Sequence, residues 1–273
     1  MTLDRRGAAL LACFETPLAV AFSGGADSAL VLAAAVRALG VDEVLAVTAV
    51  SPSYPADELG PARRFADELG VRHLLADTHE GDVPGYRANG TDRCWFCKSE
   101  VLDVVAARAG QHGVDVVATG TNADDARDPF RPGIRAGDER GVRTPLRTLG
   151  FGKDEVRALS QHWGLSTWAK PAAPCLASRI RHGVEVTPFR LARIDRAETA
   201  VRSLLAGRGL TVDNLRVRDL GDAARVELDA PLAAALADDP DVVAAVRSAG
   251  LAGEIAVTAF SSGALSREAA RHD

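Results

Sequence analysis

The feature that most constrains this chain is a short glycine-rich loop between an apolar run and an Ala/Leu-rich segment. The loop reads Ser-Gly-Gly-Ala-Asp-Ser at residues 23–28 and follows the apolar run Pro17 to Phe22 directly. Adjacent glycines let the main chain approach a ligand closely, and the N-terminus of a following helix offers backbone N–H groups to an anion. A strand, this loop and a helix in that order predict a phosphate-binding nest.

The residue pattern separates this loop from the Walker A loop. A Walker A loop ends in Gly-Lys-Ser/Thr, which is absent here, whereas SGGxDS matches the pyrophosphate loop of enzymes that cleave ATP between the α and β phosphates. The alternative is an ordinary glycine-rich turn in which Ser28 caps the helix. We favour ATP binding because strand, loop and helix stand where the motif requires. The predicted ATP-binding residues of the loop are Ser23, Gly24, Gly25, Asp27 and Ser28, with Asp27 near Mg²⁺.

Composition restricts the class of protein. A chain of 273 residues with 47% hydrophobic content can build one large domain or two smaller ones. No apolar run reaches the roughly 18 residues needed to cross a bilayer, and the N-terminus lacks a signal-peptide pattern, so we expect a cytoplasmic protein. A net charge of -5 argues against a general nucleic-acid surface and favours a small substrate.

The first half of the chain alternates apolar runs with helical stretches, which predicts an α/β fold with a parallel sheet. The predicted strands are Leu18 to Phe22, Val44 to Val50, Val71 to Ala76 and Val114 to Thr119. Ligands of such sheets bind at the carboxyl ends of the strands. Thr48 and the sequence Gly-Thr-Asn-Ala-Asp-Asp at residues 120–125, which includes Gly120 and Asn122, are therefore expected to meet the loop around one nucleotide.

The second half changes character. Residues 128–144 are rich in Arg, Gly, Asp and Pro and are predicted to form a loop. From about Pro188, a long helix, two alternating strands, a helix over residues 230–249 and a final strand predict a smaller α+β domain. We therefore expect two domains, at residues 1–185 and 186–273.

Cysteine spacing gives a second indication of chemistry. Cys94 and Cys97 form a CxxC pair, which in a cytosolic protein more often indicates a metal or redox site than a disulfide. Cys175 lies much further along the chain. Cys13 lies on an apolar helical face and is expected to be a small core residue.

Three signatures taken together resemble the LarE family of ATP-dependent sulfur transferases: SGGADS, RCWFCK at residues 93–98 and KPAAPCLASR at residues 170–179. The resemblance spans almost the whole chain. It implies an adenine nucleotide alpha hydrolase-like domain that adenylates a pyridinium biscarboxylic acid mononucleotide and converts it to the thiocarboxylate. That product is the organic part of a nickel-pincer cofactor, so nickel-inserting and nickel-pincer enzymes would act downstream.

The resemblance also bears on the cysteines. Some members of the family use one cysteine, aligned with Cys175, as a sacrificial sulfur donor, and others hold a [4Fe-4S] cluster with three. Since Cys94 and Cys97 accompany Cys175, this chain resembles the cluster type. A zinc site completed by His73, His79 or His182 and a redox CxxC pair are the alternatives.

Basic and acidic positions of the family complete the predicted site. Guanidinium groups bind phosphate and carboxylate oxygens bidentately, and Arg216 and Arg218 share one strand face; the alternative is an exposed basic strand edge. The predicted substrate-binding residues are Lys98, Ser178, Arg179, Arg216 and Arg218. Asp124 is a metal ligand or a helix cap. Glu198 and Glu227 match acidic positions near a metal or an acid-base step, although the sequence alone favours a helix-surface salt bridge for Glu198.

Other functions share parts of this pattern. Thiolation of another metabolite or of tRNA would use the same phosphate loop and cysteines, but the acidic balance disfavours tRNA. An amide-forming ligase of the same superfamily leaves the cysteines without a role, and a metal-stabilised ATP-binding regulator would release no AMP. The family resemblance also suggests a homo-oligomer built through the second domain.

Overall fold

The computed structural model describes residues 2–127, 131–261, 263 and 265. The chain divides into two compact units, and each unit is built from three separate stretches of the sequence. The first consists of residues up to Ser51, Asp57–Glu80 and Cys94–Ala173, and the second of Pro52–Ala56, Gly81–Arg93 and the residues from Pro174 onward. The domain boundary that we predict after residue 185 stays a prediction.

The first unit contains a four-stranded parallel sheet in the order β3-β2-β1-β4, which confirms the predicted α/β class. Strand β1 pairs on one side with β2 and on the other with β4, so the strand order reverses next to β1. The strands are β1 (Leu18–Ala21), β2 (Val44–Val50), β3 (Arg72–Asp77) and β4 (Val117–Thr119). Small and β-branched residues fill β1 and β2 because both faces of the sheet are covered.

Helices precede, separate and follow these four strands in the N-terminal 162 residues. They are α1 (Leu3–Leu11), α2 (Ala26–Leu39), α3 (Ala56–Glu68), α4 (Pro84–Arg87), α5 (Arg93–Gly110), α6 (Ala123–Arg127), α7 (Gly133–Glu139), α8 (Pro145–Thr148) and α9 (Lys153–His162). The central helix α2 is buried over most of its length in a core shared with β1 and β2. Within the described residues, every helix is too short or too polar to cross a membrane.

Two sequence predictions of local structure are wrong. The stretch 128–144 is not a continuous loop, because α7 forms within it and buries Ala136 and Gly137; residues 128–130 lie outside the described part. The predicted helix over residues 230–249 is two helices, since Asp239 accepts hydrogen bonds from the backbone N–H groups of Asp241 and Val242 and Pro240 starts a new helix.

The second unit contains a separate three-stranded sheet in the order β5-β6-β7. Strands β5 and β6 are antiparallel, and β6 and β7 are parallel. Its elements are α10 (Pro188–Gly207), β5 (Leu215–Asp219), β6 (Ala224–Leu228), α11 (Ala230–Ala235), α12 (Pro240–Ser248) and β7 (Ile255–Ala259). Leucine and valine side chains from these helices and strands form its core.

A buried aspartate at the end of β5 binds two arginines of α10. The Asp219 side chain is fully buried and accepts hydrogen bonds from Arg190 at 2.8 Å and from Arg193 at 2.6 Å, both on α10. The backbone N–H of Gly221 donates to the same carboxylate at 2.9 Å. Burial raises the pKa of the Asp219 carboxyl, but these hydrogen bonds outweigh burial and hold the pKa below its ordinary value.

We expect Asp219→Asn to lower the free energy of unfolding by about 3 kcal/mol, because it leaves two arginines near an uncharged partner. Since the folded pKa is depressed, this stabilisation is complete above about pH 4 and is lost as the pH falls through the folded pKa. Urea denaturation followed by circular dichroism at pH 7 and pH 3 measures both effects. The exposed Asp222→Asn serves as the control and should change stability by less than about 0.5 kcal/mol. Equal losses in both variants would contradict the prediction.

Candidate functional site

The predicted phosphate loop connects the end of β1 to the start of α2. Gly24 has a φ of 75° and lies so close to α3 that an added Cβ would be 3.0 Å from the Cβ of Ala62. The Ser28 hydroxyl donates to the carbonyl oxygen of Gly25 at 3.1 Å and accepts from the backbone N–H of Ser23 at 3.3 Å. Ser28 therefore closes the loop on itself rather than capping α2, whose N-cap is Gly25.

The end of β4 reaches the same loop. A Cβ on Gly120 would be 2.5 Å from the backbone nitrogen of Ser28, so only a residue without a side chain fits. Because β1 and β4 flank the point where the strand order reverses, this contact lies where ligands of parallel sheets bind. Gly120 and the loop, predicted from separate motifs, are thus brought together.

Asp27 lies at the centre of a polar network. Its carboxylate accepts a hydrogen bond from the side-chain amide of Asn122 at 3.1 Å and forms an ion pair with the ammonium of Lys153. Asn122 in turn accepts from the backbone N–H of Asp124 at 2.9 Å and so caps α6. The sequence analysis missed Lys153, which lies 126 residues from Asp27.

Asp124 acts as a cap in this structure. Its carboxylate accepts from the backbone N–H of Lys153 at 2.7 Å and pairs with Arg127 at 3.0 Å. The contacts of Asp124 therefore match the alternative of a helix cap. The helix that Asp124 caps is α9, however, and not α6, in which Asp124 itself lies. Its role as a metal ligand stays a prediction.

A second lysine contacts the loop from the other side. The Lys170 ammonium donates to the carbonyl oxygen of Gly24 at 2.9 Å and pairs with Glu58 at 2.6 Å. Both side chains are largely buried, so the pair holds the Gly24 peptide in a defined orientation. Lys170 stands in the KPAAPCLASR signature, but its contact with the loop could not be read from the sequence.

Thr48 lies within β2 and not at its end. Its hydroxyl donates to the carbonyl oxygen of Phe22 at 2.6 Å and lies 2.7 Å from Nε2 of His73. The side chain is fully buried, so its contacts support the loop from within the sheet. Direct contact with a nucleotide stays a prediction for Thr48.

The CxxC pair lies in the first turns of α5. Cys94 is exposed and Cys97 is half-buried; their spacing of three residues puts them on one side of the helix. Lys98 follows, and burial lowers the pKa of its ammonium. The backbone of α7 passes close by, since a Cβ on Gly133 would lie 3.2 Å from the carbonyl oxygen of Cys94.

In the second unit, Cys175 precedes a short 3-10 helix over Leu176–Arg179. Its carbonyl oxygen accepts from the Ser178 hydroxyl at 2.7 Å and from the Arg179 guanidinium at 3.0 Å. The backbone N–H of Leu176 donates to the carbonyl oxygen of Ser53 at 2.8 Å. The peptide group that joins Cys175 to Leu176 is therefore held by hydrogen bonds at both its carbonyl oxygen and its N–H.

Two buried ion pairs lie beside this segment. Arg179 pairs with Glu198 at 2.9 Å, and Arg218 pairs with Glu227 at 2.6 Å. Arg218 also donates to the carbonyl oxygen of Ser178 at 3.0 Å, which joins β5 to the cysteine segment. The expectation of a helix-surface salt bridge for Glu198 is wrong, because both partners are buried. For Glu198 or Glu227 to bind Mg²⁺, its ion pair with arginine would have to break.

Arg216 adds positive charge to the same cluster. It is buried, as is Arg218, so the alternative of an exposed basic edge is wrong. Burial and then the positive charge of Arg179 lower the pKa of Arg216 to about 10, against the opposing effect of Glu198. We name this set the arginine cluster; it consists of Arg179, Arg216 and Arg218 with Glu198 and Glu227. The cluster thus brings three buried guanidinium groups together, and such groups bind phosphate and carboxylate oxygens.

The three predicted cluster cysteines belong to different units, with Cys94 and Cys97 in the first and Cys175 in the second. Among the described residues, no three His, Cys, Asp or Glu side chains form a group that could hold a metal ion. The spacing of Cys94 and Cys97 suits two neighbouring ligands of one metal site. Cys13, in contrast, packs against the core of the first unit, as predicted.

Comparison with known proteins agrees with this geometry. The sequence profile of the asparagine synthase family matches residues 11–129, which contain the loop and all four parallel strands. An uncharacterized protein of Synechocystis sp. is 46% identical over 77% of this chain and 75% of its own length. Argininosuccinate synthase of Acaryochloris marina is 28% identical over 62% of this chain and 46% of its own length.

One relative carries a specific name. Pyridinium-3,5-bisthiocarboxylic acid mononucleotide synthase of Lactiplantibacillus plantarum is 34% identical over 83% of this chain and 80% of its own length. The match covers more than the phosphate-loop region alone, in agreement with the three sequence signatures. The chain therefore belongs to the LarE family of ATP-utilising sulfurtransferases.

Proposed function

We propose that this enzyme adenylates a carboxylate of pyridinium-3,5-biscarboxylic acid mononucleotide and replaces a carboxylate oxygen with sulfur. The observation that carries this substrate class is the arginine cluster, in which three buried guanidinium groups lie together in the unit that contains Cys175. A substrate with one phosphate and two carboxylates offers oxyanions that guanidinium groups bind bidentately. The name of the Lactiplantibacillus plantarum relative supports the same substrate.

The chemistry begins with ATP in the loop formed by Ser23, Gly24, Gly25 and Ser28. A carboxylate oxygen of the substrate attacks the α-phosphorus, the bond from that phosphorus to the bridging oxygen breaks, and pyrophosphate leaves with the electron pair. The loop N–H groups and the first turn of α2 stabilise the phosphate charge. The resulting acyl-adenylate is activated, since AMP is a far better leaving group than oxide. Sulfur then attacks the carbonyl carbon, and AMP departs.

Mg²⁺ fits the loop through Asp27. Magnesium is usually held by one or two carboxylates together with substrate phosphates, and Asp27 stands at the start of α2 with its carboxylate among polar groups. We propose Asp27 as the protein ligand. Asp124 would contribute only after its bond to the Lys153 backbone opens.

For the sulfur supply we propose that Cys94, Cys97 and Cys175 together hold a [4Fe-4S] cluster. Three thiolates leave one iron without a protein ligand, and such a cluster supplies a binding position for external sulfide. The exposure of Cys94 and the half-burial of Cys97 and Cys175 leave all three thiols accessible to a metal.

We further propose a homo-oligomer that is built through the second unit and passes its product to nickel-inserting and nickel-pincer enzymes. A thiocarboxylate pair is a soft ligand set that suits such a metal.

Sulfur incorporation tests the function directly. Enzyme loaded with iron and sulfide under anaerobic conditions, with ATP and Mg²⁺, should convert the biscarboxylate mononucleotide to a product that is heavier by one oxygen-to-sulfur exchange, with AMP formed in parallel. Arg216→Met should raise the KM for this substrate roughly tenfold or more and leave the KM for ATP unchanged. The exposed Arg247→Met is the matched control. Sulfur transfer to tRNA, or AMP formation without sulfur transfer, would contradict the proposed substrate.

Gly120→Ala tests the phosphate loop. The new methyl group would overlap the backbone at Ser28, so we expect the loop to shift and the rate of ATP-dependent AMP formation to fall roughly tenfold or more. Gly110→Ala is the matched control, because a Cβ there meets no atom within 4 Å. Equal activity of the two variants would place ATP elsewhere.

Metal analysis tests the three-cysteine proposal. After anaerobic purification, the wild type should contain about four irons and show the absorption of a [4Fe-4S] cluster, and Cys175→Ala should lose both. Cys13→Ala, which removes a thiol from the core of the first unit, should retain the iron. Zinc in place of iron would contradict the cluster. A metal-free, active wild type that loses sulfur transfer in Cys175→Ala would instead assign Cys175 as the sacrificial donor.

A further inference from the structure

We propose that Lys153 is a catalytic residue that leaves Asp27 and binds the phosphate chain of ATP when Mg²⁺ and the nucleotide enter. The inference rests on the proposed function of residues 23–28 as the phosphate loop. It assigns the pyrophosphate leaving group a cation that the sequence motifs do not name.

Lysine is scarce in this chain. Of its 32 basic residues only three are lysines, at positions 98, 153 and 170, and the other 29 are arginines. Two of the three contact the phosphate loop, Lys153 through Asp27 and Lys170 through Gly24. An ammonium is a compact charge on a flexible stem, whereas a guanidinium is a planar fork with fixed donor directions. A position at which one cation must exchange a carboxylate for a phosphate favours the lysine.

The Lys153 backbone is fixed while the end of its side chain has room to move. Its N–H donates to the Asp124 carboxylate at 2.7 Å, and Phe151, two residues before it, is fully buried. A Cβ on Gly152 would lie 3.0 Å from the Asp124 carboxylate, so the entry into α9 is tightly packed. The Lys153 side chain nevertheless retains 40% of its exposure. It can therefore swing from Asp27 without disturbing α9.

Electrostatics supplies the reason for the exchange. Asp27 has one carboxylate group, and Asn122 already occupies one of its oxygens. A Mg²⁺ ion at Asp27 would repel the neighbouring ammonium, because like charges within a few ångströms repel one another strongly at a partly buried site. The triphosphate that accompanies Mg²⁺ offers the displaced ammonium new oxygens. The exchange neutralises both Asp27 and the phosphates.

During the reaction the ammonium donates N–H hydrogen bonds and keeps its protons. As the bond between the α-phosphorus and the bridging oxygen breaks, negative charge accumulates on the departing pyrophosphate. A cation already held beside those oxygens stabilises the transition state more than the ground state. After pyrophosphate and Mg²⁺ leave, Lys153 returns to Asp27.

Covalent labelling gives a direct test. An acyl-phosphate derivative of ATP carries a reactive carbonyl at the end of its phosphate chain; a deprotonated lysine attacks that carbon, an amide forms and ATP leaves. With three lysines in the chain, peptide mass spectrometry identifies the labelled one unambiguously. We expect labelling at Lys153 that excess ATP prevents. Labelling confined to Lys98 or Lys170, or no labelling of a wild type that binds ATP, would overturn the proposal.

Metal binding distinguishes the exchange of Lys153 from a purely structural role of its ion pair with Asp27. Without nucleotide, Lys153→Met should bind Mn²⁺, a spectroscopic substitute for Mg²⁺, about tenfold more tightly than the wild type, because the competing ammonium is gone. In the presence of Mn²⁺ the same variant should bind ATP about tenfold more weakly. Arg157→Met, which removes an exposed charge one turn further along α9, should change neither affinity.

The outcomes separate ATP binding at the phosphate loop from the exchange of Lys153. A wild type that binds no ATP would overturn the assignment of the phosphate loop itself. A wild type that binds ATP, with a Lys153→Met variant whose Mn²⁺ affinity is unchanged or weaker, would overturn only the exchange of Lys153. Lys153→Arg retains the charge without the compact ammonium and should recover Mn²⁺ exclusion but not the rate of AMP formation.

Discussion

The site depends on one steric contact, the approach of Gly120 to the backbone of Ser28. Only glycine allows the end of β4 to come this close to the start of α2, and the contact lies beside β1, where the strand order reverses. The residues after Gly120 then pass directly over the loop. This brings Asn122 to Asp27 and, through Asp124, positions the first residue of α9. The short distance between the backbones of Gly120 and Ser28 thus determines where several polar side chains meet.

The two units use charge in different ways. In the first unit, Lys153 forms a partly exposed pair with Asp27 of the loop, whereas Lys170 forms a largely buried pair with Glu58 and donates to the Gly24 carbonyl oxygen. In the second unit, Arg179 and Arg218 are paired in buried bridges. Buried bridges contribute little net stability but restrict geometry, since an unpaired buried charge is costly. The partly exposed pair of Lys153 and Asp27 suits exchange of partners, and the buried arginine pairs suit recognition of a rigid anionic substrate.

Secondary structure was predictable wherever the pattern was regular. The parallel strands, α2 and the strands of the second sheet follow from apolar runs and alternation. Helix α7 was missed because its Arg-Gly-Asp composition resembles a loop, and its burial of Ala136 and Gly137 comes from tertiary packing. The break before Pro240 was visible in principle, because Asp-Pro is a typical start of a helix.

The sequence by itself determined the α/β class, the phosphate loop and the family, because these depend on local patterns of residues that keep their meaning in any context. Only the tertiary structure decided which charges meet. The pairing of Lys153 with Asp27 joins residues far apart in the chain, and Arg218 meets Glu227 and the carbonyl oxygen of Ser178 only because β6 and the Cys175 segment lie beside β5. Long-range contacts of this kind arise from strand order and helix packing, and a pattern along the chain does not contain them.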